Sequence, residues 1–166
     1  MYEVYDKWHI ISRDSYNYDH EPIEFTEIDH IVFTGMGGSG TIGDVFSSIL
    51  SKTNIHVSVV RGYLLPNTVD SNSLIVNTSI SGNTVETLNI LDSAKKKNCK
   101  IIAISSGGKM EDYCKKYNVN FRKIPQYHSP RASFAGFMYS LLKILGPILP
   151  IKQVEITESI TELSKL

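Results

Sequence analysis

Three short apolar runs in this chain fail to alternate with polar residues, and each is followed by a cluster of glycine and serine. Ile31-Val32-Phe33 leads into Gly35-Met36-Gly37-Gly38-Ser39-Gly40, Leu74-Ile75-Val76 into Ser79-Ile80-Ser81-Gly82-Asn83, and Ile101-Ile102-Ala103-Ile104 into Ser105-Ser106-Gly107-Gly108. An unalternated apolar strand has both faces buried, as in a parallel sheet covered on both sides. Val57-Ser58-Val59-Val60 and Phe121 to Ile124 read as two more strands. Helical periodicity fills the stretches between them: Thr41 to Leu50, Thr84 to Lys97 with Val85, Leu88 and Leu91 on one face, and a stretch reaching Lys116. Strands alternating with helices dictate right-handed crossovers. The expected fold class is α/β, a doubly wound parallel sheet of about five strands with helices on both faces, in the flavodoxin-like three-layer arrangement.

The flanks read as helical. Val4, Trp8 and Ile11 recur at helical spacing and predict an N-terminal amphipathic helix over residues 2–18. Ser129-Pro130 predicts a helix start, with serine as cap and proline in the first turn, and the helix carries Phe134, Phe137, Met138, Leu141 and Leu142. Ile156, Ile160 and Leu163 predict a tail helix that lacks an obvious partner. With 166 residues the chain suits one domain. That domain is expected over residues 1–150, with 151–166 as a tail helix and candidate interdomain linker.

Composition narrows the function classes. Seventeen basic residues balance seventeen acidic ones, which leaves no overall electrostatic footprint for nucleic acid or an anionic membrane. Cys99 and Cys114 are too few and too far apart for a disulfide framework or a C-x-x-C motif, and both read as packing residues. No apolar run reaches the ~18 residues that span a bilayer, and charged and aromatic residues stand where a signal peptide needs an apolar stretch. The expectation is a cytoplasmic protein. His9, His20, His30 and His56 show no metal-ligand spacing, and no metal or cofactor is expected.

A helix N-terminus offers unpaired N–H groups and the positive end of the helix dipole, which suits an anion. Glycine lets that backbone come close, and serine and threonine add neutral donors. Gly37-Gly38-Ser39 has this chemistry. So does the second turn, where Ser79, Ser81 and Thr84 can converge with the amides of Gly82 and Asn83. Either cluster alone is equally explained by a tight turn, with Thr84 merely capping its helix; two at equivalent strand ends point to a phosphate. Gly35, Gly37 and Gly40 also satisfy the dinucleotide fingerprint G-x-G-x-x-G, but Arg61 and Gly62 stand where a ribose-binding acid is expected. An NADP-type oxidoreductase using Arg61 therefore stays open, although it gives no reason for the second turn. No Gly-Lys-Ser/Thr closes the first loop, so it is not a Walker A motif.

Five motifs occur in order: Gly35 to Gly40, Val59-Val60-Arg61-Gly62-Tyr63, Ser79 to Thr84 with Glu86-Thr87-Leu88, Ser105-Ser106-Gly107-Gly108-Lys109, and Pro130-Arg131. Together they resemble the first sugar isomerase (SIS) domain of the bifunctional phosphoglucose/phosphomannose isomerases, over nearly the whole chain. The resemblance implies a metal-independent isomerase that interconverts glucose 6-phosphate or mannose 6-phosphate with fructose 6-phosphate. It implies that Ser79, Ser81 and Thr84 hold the phosphate, that Gly38 and Ser39 meet the sugar near its reacting end, and that Arg131 steadies an enediolate-like intermediate. A permanently charged guanidinium suits that last task. Ile80 departs from the family, which often has tyrosine there. SIS domains commonly pair, which implies a homodimer.

Isomerisation also needs a base and a group that opens the sugar ring. The resemblance puts these in a second SIS domain, whose motifs have no counterpart here. Glu86 is a weak candidate base, since a carboxylate in a first helical turn also suits the dipole; His128 is a weak candidate beside Pro130-Arg131. Lys95-Lys96-Lys97 reads as the solvated end of a helix. Three functions remain: a phosphosugar isomerase or its first half, a non-catalytic phosphosugar-binding module acting as sensor or partner subunit, and an NADP-type oxidoreductase or some unrelated enzyme.

Overall fold

Burial along the strands follows the apolar runs. The computed structural model describes residues 2–165, in the order α1 (Tyr2–Tyr5), α2 (Trp8–Asn17), β1 (His30–Thr34), α3 (Gly38–Leu50), β2 (His56–Val60), β3 (Ser73–Ser79), α4 (Val85–Lys96), β4 (Lys100–Ser105), α5 (Gly108–Tyr117), β5 (Asn120–Lys123), α6 (Phe134–Ile144) and α7 (Gln153–Leu163). β1 and β3 are buried along their whole length and β4 from Ile101 onward, whereas the edge strands β2 and β5 are half-exposed. All four ladders are parallel, in the order β2-β1-β3-β4-β5. That is the flavodoxin-like order, and the expected α/β class with a five-stranded doubly wound sheet is what the chain forms.

The chain divides into two compact units. In the sheet unit, Phe25–Lys123, alternation along each strand sends successive side chains to opposite faces. Val32, Ile75, Ile101 and Ala103 pack with Ile90, Leu91 and Ala94 of α4 and Met110 and Cys114 of α5. The other face meets α3, where Phe33 stacks on Phe46 at 5.5 Å. Burying a large apolar side chain contributes about 1.5–3 kcal/mol, so these two layers dominate the unit's stability. α3 starts at Gly38, three residues before the periodic stretch expected from Thr41, because Gly38-Ser39-Gly40 belongs to the helix despite its poor helix propensity.

The second unit comprises Met1–Glu24 and Ile124–Leu166. The single N-terminal helix expected over 2–18 is two, interrupted by a turn at Asp6–Lys7. α2 packs against α6 where Gly136 has no side chain; a Cβ there would lie 3.3 Å from Ile11 and 3.0 Å from Tyr127. Trp8 Nε1 donates to the Ala132 carbonyl at 2.8 Å, and Ile23 N to the Ile144 carbonyl at 2.9 Å. Ser129 does begin a turn, its carbonyl taking Ser133 N at 3.1 Å, but regular helix starts only at Phe134. The Ser133 hydroxyl folds back instead, accepting Tyr127 N at 2.8 Å, and holds the segment before α6 as a loop. The tail helix does have a partner. α7 lies against α2, Ile156 is buried, and Ser159 pairs with the Tyr139 hydroxyl at 2.8 Å. No helix of the described residues is long and apolar enough to cross a membrane.

Candidate functional site

In an open parallel sheet, ligands bind beyond the carboxyl ends of the strands where the order reverses. Here β1 connects outward to β2 and β3 outward to β4, so the reversal lies between β1 and β3. Thr34, the last residue of β1, pairs in register with Asn77 near the end of β3. The two turns singled out in the sequence therefore leave neighbouring strands at the switch point. One carries Gly37, Gly38 and Ser39; the other carries Ser79, Ser81, Gly82, Asn83 and Thr84.

The second turn is built from its own hydroxyls. Ser79, 2% exposed, donates its hydroxyl to Thr84 Oγ1 at 3.0 Å and accepts Gly82 N at 3.2 Å. Ser81 Oγ accepts Asn83 N at 3.3 Å. Thr84 sits at the N-cap of α4 yet makes no side-chain cap bond, so helix capping does not explain it. A hydroxyl that accepts retains its own O–H. Ser81 and Thr84, both half-buried, can thus still donate outward, while Ser79 orients Thr84. The amides of Val85, Glu86 and Thr87 open α4 and have no acceptor within the helix.

A third turn buttresses the second. Ser106 N donates to the Ile80 carbonyl at 3.0 Å, Met110 N to the Gly82 carbonyl at 2.9 Å, and Lys109 N to Asn83 Oδ1 at 3.1 Å. Ser105 ties its own loop, accepting Gly107 N at 3.1 Å. The Asn83 side chain is engaged with this buttress and with the Ser81 carbonyl, to which Nδ2 donates at 3.2 Å. Gly82 has a φ of 72°, the left-handed region that glycine adopts at no steric cost.

The first turn is open. Ser39 is nearly buried, its amide donating to the Met36 carbonyl at 3.1 Å. Gly38 has ordinary backbone angles, and a Cβ on it would meet nothing within 4 Å. The fold therefore does not require glycine there. A side chain there would project into open space above the turn. Arg61, at the end of β2, forms an ion pair with Asp44 of α3.

Of the remaining candidates, Glu86 lies in the first turn of α4, and Arg131 and His128 belong to the helical unit, both exposed. Sequence reasoning passed over Thr34 and Asn77, whose side chains meet beneath the turns at 2.7 Å. The available signal was polar residues ending otherwise apolar strands. No group of three or more acidic, histidine or cysteine side chains among the described residues is placed to hold a metal.

Comparison with known proteins agrees with this geometry. The SIS domain family matches residues 24–144. The chain is 39% identical over 148 residues to a bifunctional phosphoglucose/phosphomannose isomerase of Caldicellulosiruptor bescii, covering 87% of this chain and 43% of that one. It is 33% identical over 147 residues to the enzyme of the same name from Pyrobaculum calidifontis, covering 87% and 46%. The chain thus spans about half the length of the curated relatives it matches. Glucosamine-6-phosphate deaminase from Thermotoga maritima shares the fold, with a TM-score of 0.66 at 19% identity over 99% of this chain and 53% of that one. A parallel sheet in this order, with serine- and glycine-rich turns at its switch point and the family match across them, makes the chain a member of the SIS domain family.

Proposed function

We propose that this chain is the phosphosugar-binding half of an aldose–ketose isomerase, interconverting glucose 6-phosphate or mannose 6-phosphate with fructose 6-phosphate in the cytoplasm as a homodimer. The observation that carries the reading is the pair of turns at the switch point, where Ser81 and Thr84 keep a hydroxyl hydrogen to donate and the space over Gly38 is open. Ser81 and Thr84, with the first amides of α4, hold the phosphate; Gly82 and Asn83, whose amides are bonded to Ser79 and Ser81, shape the turn that presents them, and Ser79 fixes the direction of Thr84. Gly37, Gly38 and Ser39 face the sugar. Neutral donors at a helix N-terminus suit a dianion, since the dipole supplies positive potential without a competing counter-ion. The family resemblance assigns Arg131 the developing negative charge of the enediolate, and the relatives named as phosphoglucose/phosphomannose isomerases support the reaction class.

Calorimetric titration with fructose 6-phosphate and with 5-phosphoarabinonate, an enediolate mimic, tests this on the purified chain, with an isomerase assay on the same sample. Saturable binding of both supports the reading, and turnover locates the base within this chain or its dimer. Binding without turnover is the result expected of a half whose base lies in another domain, and binding with no activity in any native assembly favours the sensor or partner-subunit role. Failure to bind either ligand overturns it. Sedimentation velocity decides the homodimer, and a monomer at high concentration counts against it.

A further inference from the structure

Asn77 is fully buried within an otherwise apolar layer, on the same face of β3 as Ile75. A buried amide is costly unless its donor and acceptor are both matched. Here each has one partner, and the two partners lie on different elements. Asn77 Oδ1 accepts the Thr34 hydroxyl of β1 at 2.7 Å, and Asn77 Nδ2 donates to the Thr87 carbonyl of α4 at 2.8 Å. The orientation is dictated by chemistry. A backbone carbonyl can only accept, so the nitrogen must face Thr87, which leaves the oxygen toward Thr34.

The link joins the places from which the two turns depart. Thr34 immediately precedes Gly35 and the first turn, and Thr87 lies one helical turn beyond Thr84 of the second. The Thr87 hydroxyl also donates to the Thr84 carbonyl at 2.8 Å, so the bridge continues to the residue whose hydroxyl accepts the Ser79 hydroxyl. Asparagine is the short side chain that accepts on one side and donates on the other. Aspartate would set a second acceptor against the Thr87 carbonyl, and leucine of similar size would leave Thr34 and Thr87 without this partner.

We propose that Asn77 is a positioning residue for the phosphosugar site, setting the distance between the β1 turn and the N-terminus of α4 and hence the spacing of Gly38 from Ser81 and Thr84. The proposal rests on the phosphosugar reading for its ligand but not for its geometry. If Asn77 only stabilised the core, Asn77→Leu would lower the melting temperature while the folded fraction bound sugar phosphate as before.

The experiment compares wild type, Asn77→Leu and Thr34→Val, each with the intact chain, in fructose 6-phosphate affinity and in hydrogen exchange of the amides at 81–87. Thr34→Val is nearly isosteric and removes only the donor at the far end of the link, so it decides the question where Asn77→Leu does not fold. The expected result is about a tenfold or greater loss of affinity in either folded variant, together with faster exchange at 81–87 than in β4. Affinity and exchange both unchanged in a folded variant overturn the proposal. Should wild type bind no sugar phosphate, the ligand reading fails by itself. Exchange at 81–87 then decides the positioning role, with acceleration supporting it and unchanged protection overturning it.

Discussion

A Cβ placed on Gly82 would lie 1.8 Å from the carbonyl oxygen of Gly107. The turns after β3 and β4 are in backbone contact at that point, and their contact holds the turn that carries Ser81 in place. With φ at 72° the position also lies where side-chain-bearing residues are strained. Gly82→Ala is therefore expected to destabilise the chain by about 2–4 kcal/mol, combining strain with forced separation of the two turns. Chemical denaturation measures this, and a change below about 1 kcal/mol would show that the turns part without cost.

Gly38 is the opposite case. Its backbone angles are ordinary and its missing side chain faces open space. Gly38→Ala at the start of α3 is expected to leave stability unchanged or raise it by up to about 1 kcal/mol, as alanine favours helix over glycine. The same variant is expected to weaken sugar-phosphate binding. Retention of full affinity with an added methyl group would move the ligand away from this turn.

Ser79 and Ser81 are expected to separate under mutation although they stand two residues apart. Ser81→Ala removes an outward donor from a half-buried position and is expected to weaken sugar-phosphate binding by about 1–3 kcal/mol with little loss of stability. Ser79→Ala removes the partner of both Thr84 and the Gly82 amide from a position 2% exposed, so stability and affinity should fall together. Calorimetry with parallel melting curves distinguishes the two, and identical behaviour would contradict this division of roles.

His30 gives the sheet unit an acid-sensitive edge. Its ring is buried, contacts Ser58 Oγ at 2.9 Å and lies 4.5 Å from the ring of His56, its partner in the β1–β2 ladder. Burial, and then the charge of His56, lower its pKa below the ordinary 6.5, against the weaker opposing pull of Asp29 and Asp70. The unfolded chain then binds more protons between the lowered folded value and 6.5, so stability is full above 6.5 and declines as pH falls through that window. His30→Gln should flatten this decline when denaturation midpoints are compared from about pH 7.5 to 5. Parallel curves for variant and wild type would assign the acid sensitivity elsewhere.

Cys114 is nine-tenths or more buried, and desolvation pushes its thiol up to about 11, while Cys99 is only half-buried. A thiol reagent in native buffer should modify Cys99 well before Cys114, because the thiolate is the reactive form and needs access. Equal rates would show that α5 opens readily from the sheet.

The sequence by itself determined the strands, their burial and the places where the chain turns. Those features are local: an unalternated run such as Ile31-Val32-Phe33 needs apolar cover on both faces wherever it sits, and Gly82 needs its left-handed angle because of the turn it occupies. Tertiary structure decided what each polar group does. Thr84 looks like a cap until Ser79 is seen bonded to its hydroxyl, and Asn77 looks like a strand end until Thr34 and Thr87 are brought to either side of it. Ser133, not the proline three residues earlier in the loop's first turn, governs where α6 becomes regular, because its hydroxyl has Tyr127 within reach. The tail helix found α2 and Tyr139 for the same reason. Apolar periodicity depends on residues close in the chain, whereas a hydrogen bond depends on which partner the fold delivers, and short-range pattern carries no information about that.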